Sequence, residues 1–148
     1  MKTYLKTTVA AVLLAVFTHQ ALAMISVGNL NKEQAKKMGI VMKARKNGDA
    51  GIKVWLEFKK EGDLEGFTYA ELRMTGKNGE HLLSAMLEPN PAHLRRPEGV
   101  TAVAFSADPS QLESCEFWVV SYGAPRSGVG YILKVSDFLD MKNPVTEE

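Results

Sequence analysis

The sequence contains a single cysteine, Cys115, among 148 residues, and only three histidines. One cysteine excludes an intrachain disulfide, so the fold must be stabilised by packing alone. Free cysteine is among the most buried residue types, and we therefore expect Cys115 to be buried rather than paired with another chain. Because no H-E-x-x-H or C-x-x-C spacing occurs, the sequence predicts neither a metal site nor a cofactor.

The sequence also lacks an excess of either charge, since it has 18 Lys and Arg residues and 17 Asp and Glu residues. This balance argues against a nucleic-acid partner or an anionic membrane recognised by bulk charge. The sequence also lacks an uninterrupted apolar run of the roughly 20 residues that a membrane-spanning helix needs. We therefore expect no membrane insertion after export.

The N-terminal segment has the three parts of a secretory signal peptide. Lys2 and Lys6 precede an apolar stretch from Val9 to Phe17, and Ala21-Leu22-Ala23 forms an A-x-A cleavage site. We predict cleavage after residue 23 and a periplasmic or extracellular protein. Residues 24–140 suit one domain, and residues 141–148 are interpreted as a flexible C-terminal tail.

The clearest structural pattern is a β-hairpin over residues 70–87. Asn78-Gly79 is a strong signal for a two-residue type I′ turn, because both residues tolerate positive φ. With these residues at the tip, the apolar side chains of both strands fall on one face: Met74 opposite Leu83, Leu72 opposite Ala85, and Ala70 opposite Leu87. Turn and pattern therefore predict the same register.

Further strands follow from strict alternation of apolar and polar residues. Residues 40–46 and 52–59 alternate on either side of a Gly-rich turn, which predicts that Met42 faces Leu56 and Ala44 faces Val54. Residues 100–107 and 114–122 add two more strands. The last of these should pair with residues 130–138, with Tyr122 opposite Gly130.

Together these patterns predict an all-β fold of two packed antiparallel sheets. Seven or eight short strands are separated by turns, and one short N-terminal helix over residues 32–38 has Asn31 and Gln34 placed as a capping box. The architecture resembles immunoglobulin-like and fibronectin type III sandwiches in strand count, without their Cys, Trp, Cys core signature.

Residues capable of catalysis are few and scattered. Ser127 follows a Gly- and Pro-containing segment but lacks the G-x-S-x-G pattern of a nucleophile elbow. Gly128-Val129-Gly130 is too short to cradle a phosphate and follows no βα unit. We therefore expect a protein that is not an enzyme.

One candidate binding site lies at an end of the predicted sandwich. In an antiparallel fold alternate loops share an end, so the loops over residues 60–66, 89–99 and 123–129 should meet. They bring together four side chains suited to a carboxylate, sulfate or phosphate group: His93, Arg95, Arg96 and Arg126. Alternatively, these arginines pair with the neighbouring acids of residues 61–65 and only tie the loops together.

The second candidate site is a sheet face that carries Trp55, Trp118 and Tyr122. Flat aromatic side chains on a sheet hold sugar rings or anchor protein interfaces. Alternatively, residues 25–38 or the tail fold over Trp118 and bury it.

The sequence thus predicts an exported, non-enzymatic module that binds a protein or glycan partner in the cell envelope or outside the cell. A small secreted hydrolase or enzyme inhibitor that uses the arginine-bearing loops is one alternative. A purely structural envelope protein is another.

Overall fold

The computed structural model describes residues 25–123 and 127–146; the predicted signal peptide and Arg126 lie outside them. The described residues form eight strands and two short helices, in this order: β1 Ile25–Asn29, α1 Lys32–Lys37, β2 Val41–Lys46, β3 Ile52–Lys59, β4 Phe67–Thr75, β5 His81–Leu87, β6 Val100–Ala107, β7 Cys115–Tyr122, β8 Gly128–Lys134 and α2 Val135–Phe138. Short 3-10 turns occupy three of the connections, Gly48–Ala50, Gly62–Leu64 and Pro109–Ser114.

The strands form two sheets, as predicted for an all-β sandwich. One sheet has five strands in the order β1-β8-β7-β4-β5, and the other has three in the order β2-β3-β6. All pairs are antiparallel except β1 with β8. The alternating apolar residues of both sheets meet between them, and the largest fully buried side chains include Phe58, Phe117, Leu56 and Leu133. Cys115 is buried in this core, as expected.

The connection between β1 and β2 contains α1. The Asn31 side chain accepts a hydrogen bond from the Gln34 backbone N–H, and Gln34 Oε1 accepts one from the Asn31 N–H, so both hydrogen bonds of a capping box are present. Ala35 is buried, and Lys32 Nζ donates to the Phe138 carbonyl at 3.1 Å. No helix within the described ranges is long and apolar enough to cross a membrane.

The β4–β5 hairpin has the predicted register but a different turn. The predicted pairs Met74 with Leu83, Leu72 with Ala85 and Ala70 with Leu87 are all present. The predicted two-residue type I′ turn is wrong, because Gly79 has a φ of 79° whereas Asn78 is not in the positive-φ region. The Gly76 N–H donates to the Glu80 carbonyl at 2.8 Å, which leaves a three-residue loop.

A β-bulge reconciles this longer loop with the predicted register. Thr75 pairs with His81, whereas Met74 pairs with Leu83, so Leu82 is an extra residue on β5. The three-residue loop shifts the pairing by one residue, and the bulge shifts it back. The apolar faces therefore coincide as the alternation requires.

Pairing between the other strands was predicted with mixed success. The β2–β3 register is confirmed, since Met42 pairs with Leu56 and Ala44 with Val54. The predicted β7–β8 register is wrong by two residues, because Tyr122 pairs with Gly128 and not with Gly130. The connecting loop is tighter than expected: the Gly123 N–H donates to the Ser127 carbonyl at 2.9 Å. A shift of two residues keeps every side chain on its predicted face.

Residues 141–146 belong to the segment predicted to be a flexible tail, and in the structure they contact β2 and the core. The Thr146 N–H donates to the Ala44 carbonyl at 2.8 Å, and the Ala44 N–H donates to Thr146 Oγ1 at 2.8 Å. Met141 and Val145 pack against the core. The apolar side chain of Val145 explains these contacts, because it gains free energy by covering core surface where the chain runs back along β2.

Candidate functional site

The loop end of the sandwich is formed by the loops that follow β3, β5 and β7. Lys59 of β3 pairs with Val100 of β6, and Phe67 of β4 pairs with Ser121 of β7. These pairs bring residues 60–66 next to residues 88–99 on one side and next to Gly123 and Ser127 on the other. The three loops thus share one end, as the alternation of antiparallel connections predicts.

A cavity of about 600 Å³ opens at the loop end between Lys60 and the β5–β6 loop. Arg95 and Arg96 line it, together with Asn90 and Glu98. Both arginines are exposed. The cavity therefore has three cationic side chains and one acid on its wall, which favours an anionic ligand.

The structure brings together only part of the predicted arginine site. His93 is exposed on the same loop but does not line the cavity, and Arg126 lies outside the described residues. Arg96 Nε donates to the Val100 carbonyl at 3.0 Å, which holds the guanidinium of Arg96 at the cavity wall.

Two of the three acids that were the alternative partners of these arginines, Asp63 and Glu61, have other partners. Tyr131 Oη donates to Asp63 at 2.8 Å, and burial together with this hydrogen bond raises the pKa of Tyr131 to about 12. Glu61 Oε1 lies 3.9 Å from Lys59 Nζ. Within the part of the chain that the structure describes, neither Arg95 nor Arg96 forms an ion pair with them.

The β5–β6 loop is anchored to the three-stranded sheet at two points. Asn90 has a φ of 55°, and it donates its backbone N–H to the Ala102 carbonyl at 2.6 Å while Oδ1 accepts the Ala102 N–H at 2.9 Å. Four residues later, Leu94 is 5% exposed and packs against Trp55. The backbone that carries Arg95 and Arg96 is therefore fixed on the sheet before any ligand arrives.

Trp55 is not part of an open aromatic site, which corrects the sequence prediction. Its side chain points away from the core, as the alternation predicts, but it is only 3% exposed because Leu94 lies over it. Its Nε1 donates to Glu57 Oε1 at 2.9 Å. Trp55 also lies on the three-stranded sheet, whereas Trp118 and Tyr122 lie on the five-stranded sheet, so the three residues do not share a face.

Trp118 lies flat on the outer face of the five-stranded sheet. A Cβ placed on Gly130 would come within 2.7 Å of Trp118 Nε1, so the indole occupies the space that a side chain at residue 130 would need. On its other side, Arg73 Cζ is 2.9 Å from the ring centroid. The Arg73 guanidinium forms an ion pair with Glu71, in which Nε donates to Oε2 at 2.9 Å.

The ring of Tyr122, four residues further along β7, also occupies the space above a glycine of β8. A Cβ on Gly128 would come within 2.8 Å of the Tyr122 ring and 3.1 Å of Ile25. Tyr69 lies on the same face, and its pKa is raised, first by burial and then by the nearby Tyr122 and Glu71. The side chains Trp118 and Tyr122 are therefore brought together, as the alternation of β7 predicts.

We call this surface the aromatic face and define it by six residues from four of the five strands, β1, β4, β5 and β7: Val27, Tyr69, Arg73, Met86, Trp118 and Tyr122. Val27 is 49% exposed and Met86 is 64% exposed. Neither segment proposed to cover Trp118 does so. Residues 25–29 extend the same sheet as β1, and the C-terminal residues run along β2 of the other sheet.

Sequence reasoning missed the residues that set the shape of this face. Gly128 and Gly130 attract notice in the sequence only as a segment too short to cradle a phosphate, but in β8 they provide space for the rings of β7. The alternation of β4 puts Arg73 on the polar face of the hairpin and gives no sign of its contact with Trp118. The available signal was Gly130, at the start of a strand predicted to pair with the strand that carries Trp118 and Tyr122; Gly128 was predicted to lie in the preceding loop.

The described residues contain no group of three or more His, Cys, Asp or Glu side chains that could hold a metal ion. Comparison of the chain with protein-family models, with curated proteins and with solved structures finds no match.

Proposed function

We propose that this protein is an exported, non-enzymatic module that binds a protein partner in the cell envelope or outside the cell through its aromatic face. The observation that supports the proposal is the width of this face. Aromatic and Arg side chains lie on β4 and β7, Met86 lies on β5 and Val27 on β1, and Met86 and Val27 are 64% and 49% exposed. Tyr, Trp, Arg and Met are the residue types enriched in protein interfaces.

The export part of the proposal is supported by the N-terminal sequence. The basic residues, apolar stretch and A-x-A site predict cleavage after residue 23. Strand β1 begins at Ile25, so cleavage there would leave every described strand intact.

The strand order supports an immunoglobulin-like assignment of the domain. Taking β2 to β8 as strands A to G, the sheets read A-B-E and D-C-F-G. An immunoglobulin constant domain has A-B-E-D and C-F-G, so the two differ in which sheet the fourth strand joins and in the additional strand β1, which pairs parallel with β8. Domains of this class commonly act as interaction modules, which agrees with the proposed role on the level of analogy.

A protein partner is favoured over a glycan by the packing of Trp118. Sugar rings stack on an open aromatic ring face, but one side of this indole lies against Gly130 and the other against Arg73. The stack instead forms a surface in which the Arg73–Glu71 ion pair lies between apolar edges. Such a surface suits the side chains of another protein.

The proposal is tested by capture of partners from envelope and medium fractions with the immobilised protein, followed by measurement of the affinity for any purified partner. Val27→Glu should weaken that affinity at least tenfold, because it places a charge at the edge of the aromatic face. Val41→Glu is the matched control, since Val41 is 47% exposed on the other sheet. Equal affinity of the two variants would refute the aromatic face as the binding site.

A second candidate is recognition of an anionic group at the loop end, favoured by the cavity that Lys60, Arg95 and Arg96 line. A bound carboxylate or sulfate should raise the unfolding temperature in proportion to its occupancy. We expect citrate or sulfate to stabilise the protein in a concentration-dependent way that Arg95→Ala with Arg96→Ala abolishes. An inhibitor or hydrolase role at these loops would start from the same anion-binding step.

A further inference from the structure

Strand β5 forms an open edge of the five-stranded sheet. It pairs with β4 on one side, and no described strand pairs with it on the other. The backbone groups on that side are therefore available to another extended chain.

The side chains of β5 are exposed on both faces of the sheet. Leu82, Leu83 and Met86 are 57%, 44% and 64% exposed. Leu83 pairs with Met74 on the face turned towards the core, but the opposing sheet has only three strands, so β5 extends past it. An apolar strand in this position gains free energy from any neighbour that covers it.

The other sheet shows how this chain closes an edge. Thr146 hydrogen-bonds both backbone groups of Ala44 on β2, and Asn90 does the same for Ala102 on β6. Pro89 adds an isolated bridge to Val103. By contrast, residues 81–87 of β5 contain no Lys, Arg, Asp, Glu or Pro, which are the residues that normally protect an edge strand from pairing.

We infer that β5 pairs antiparallel with β5 of a second copy of this chain, which makes a symmetric homodimer with a continuous ten-stranded sheet. A second copy fits because the strand is complementary to itself. When the two-fold axis passes through Ser84, Leu83 lies opposite Ala85 of the second copy, and Met86 faces the bulge at Leu82. Residues 81–87 contain no Lys, Arg, Asp or Glu, so no like charges oppose each other within the paired strands. Because a two-fold contact uses the same edge of both chains, the assembly stops at two chains.

The acids that flank the strand lie opposite each other in this register, with Glu88 of one copy facing Glu80 of the second copy. Glu80 is turned back into its own hairpin tip, where its carboxylate accepts the Asn78 N–H at 3.0 Å. The bulge at Leu82 lies towards one end of the strand and leaves residues 83–87 in regular pairing with β4. The inference does not depend on the proposed partner of the aromatic face.

The test is sedimentation equilibrium of the purified protein over a range of concentrations. We expect a monomer–dimer equilibrium, and Ser84→Lys should weaken dimerisation at least tenfold because it opposes two like charges at the two-fold axis. The unfolding temperature of the monomer should fall only slightly, because Ser84 is exposed and the substitution removes one exposed hydrogen bond, from Ser84 Oγ to Glu71 at 3.1 Å. Val41→Lys, at an exposed apolar residue of the other sheet, is the control and should dimerise as the wild type does.

Crosslinking provides a second readout that does not require weakening the dimer. Ser84→Cys should form a reducible dimer under mild oxidation, whereas Thr68→Cys, at an exposed residue of the inner strand β4, should not. Cys115 is buried and does not interfere. A wild-type protein that stays monomeric at all concentrations, a dimer unaffected by Ser84→Lys, or assembly that continues beyond two chains would each overturn the inference.

Discussion

At the scale of single residues, the aromatic face depends on side chains that are absent. Gly128 and Gly130 alternate along β8 and leave space that the rings of β7 and Ile25 of β1 fill. Because the glycines lie on the outer face, this packing lowers the exposure of Trp118 and Tyr122 without a covering segment. A glycine in a strand usually weakens it, and here the cost is offset by the rings that pack over it.

Gly130→Ala should therefore destabilise the protein and displace Trp118. The new Cβ would lie 2.7 Å from Trp118 Nε1, and forcing such an overlap typically costs about 1 to 3 kcal/mol. The unfolding free energy and the near-ultraviolet circular dichroism of the indole measure the two effects. Gly28→Ala on β1 is the control, because nothing lies within 4 Å of the place its Cβ would occupy and its φ is not positive; an equal loss there would contradict this explanation.

Cys115 should make the stability of the protein fall at alkaline pH. Burial raises the pKa of its thiol from 9.0 to about 11. The unfolded chain therefore loses this proton at a lower pH than the folded chain, and the free energy of unfolding decreases as the pH rises from 9 towards 11. The effect is on the order of 2 kcal/mol and is absent below pH 9.

Urea denaturation of the wild type and of Cys115→Ala at pH 8 and pH 10 tests this expectation. The variant should be less stable at pH 8, because a buried group is removed, but it should lose less stability between the two pH values. Tyr131, whose pKa is also raised, contributes equally to both proteins. Parallel pH profiles would show that the thiol ionises as easily in the folded state as in the unfolded state.

At the scale of elements, the β5–β6 loop shows that neighbouring residues can have opposite roles. Leu94 is buried over Trp55, whereas Arg95 and Arg96 are exposed at the cavity. The sequence of this loop contains three prolines and predicts no regular structure, so its attachment to the sheet was not apparent. The loop that carries the arginines is attached to the sheet by the apolar side chain of Leu94 and by the hydrogen bonds of Asn90 to Ala102.

Leu94→Ala should destabilise the protein by about 2 to 3 kcal/mol, as truncation of a buried leucine does. It should also expose Trp55, with a red shift of the tryptophan emission and easier acrylamide quenching. Arg95→Ala with Arg96→Ala is the matched change at the next two residues and should leave the unfolding temperature nearly unchanged. A comparable loss of stability in the double variant would mean that the arginines hold the loop instead of serving a ligand.

The β4–β5 hairpin shows why registers were easier to predict than turns. Burial of one face requires Leu72 and Met74 to share a side with Ala85 and Leu83, and only registers that satisfy this are stable. The turn has no such constraint, since a three-residue loop with a bulge reaches the same register. The β7–β8 pair shows the limit of this argument, because a shift of two residues satisfies the burial pattern equally well.

At the scale of the whole molecule, the C-terminal residues complete the three-stranded sheet. Thr146 pairs with Ala44 at the free edge of β2, and Val145 and Met141 cover apolar core residues. These contacts make residues 141–146 part of the domain, although their composition is that of a solvated tail.

A chain that ends at Asn143 should therefore be less stable by about 2 kcal/mol, from two lost hydrogen bonds and the uncovered apolar surface. Thermal unfolding measures the loss. Thr146→Ala should show a smaller loss than the truncation, because the backbone hydrogen bond to Ala44 remains. If the truncated protein unfolds at the wild-type temperature, the pairing with β2 contributes nothing to stability.

The sequence by itself determined the all-β architecture, two strand registers and the burial of Cys115, because alternation and burial are local constraints that few arrangements satisfy. It also placed the loops correctly at one end, since antiparallel connections must alternate. The tertiary structure alone decided that Leu94 covers Trp55, that Arg73 stacks on Trp118, and that β5 is an open edge of the five-stranded sheet. Each of these depends on which strands lie side by side, and residues distant in the sequence meet only after both sheets have formed.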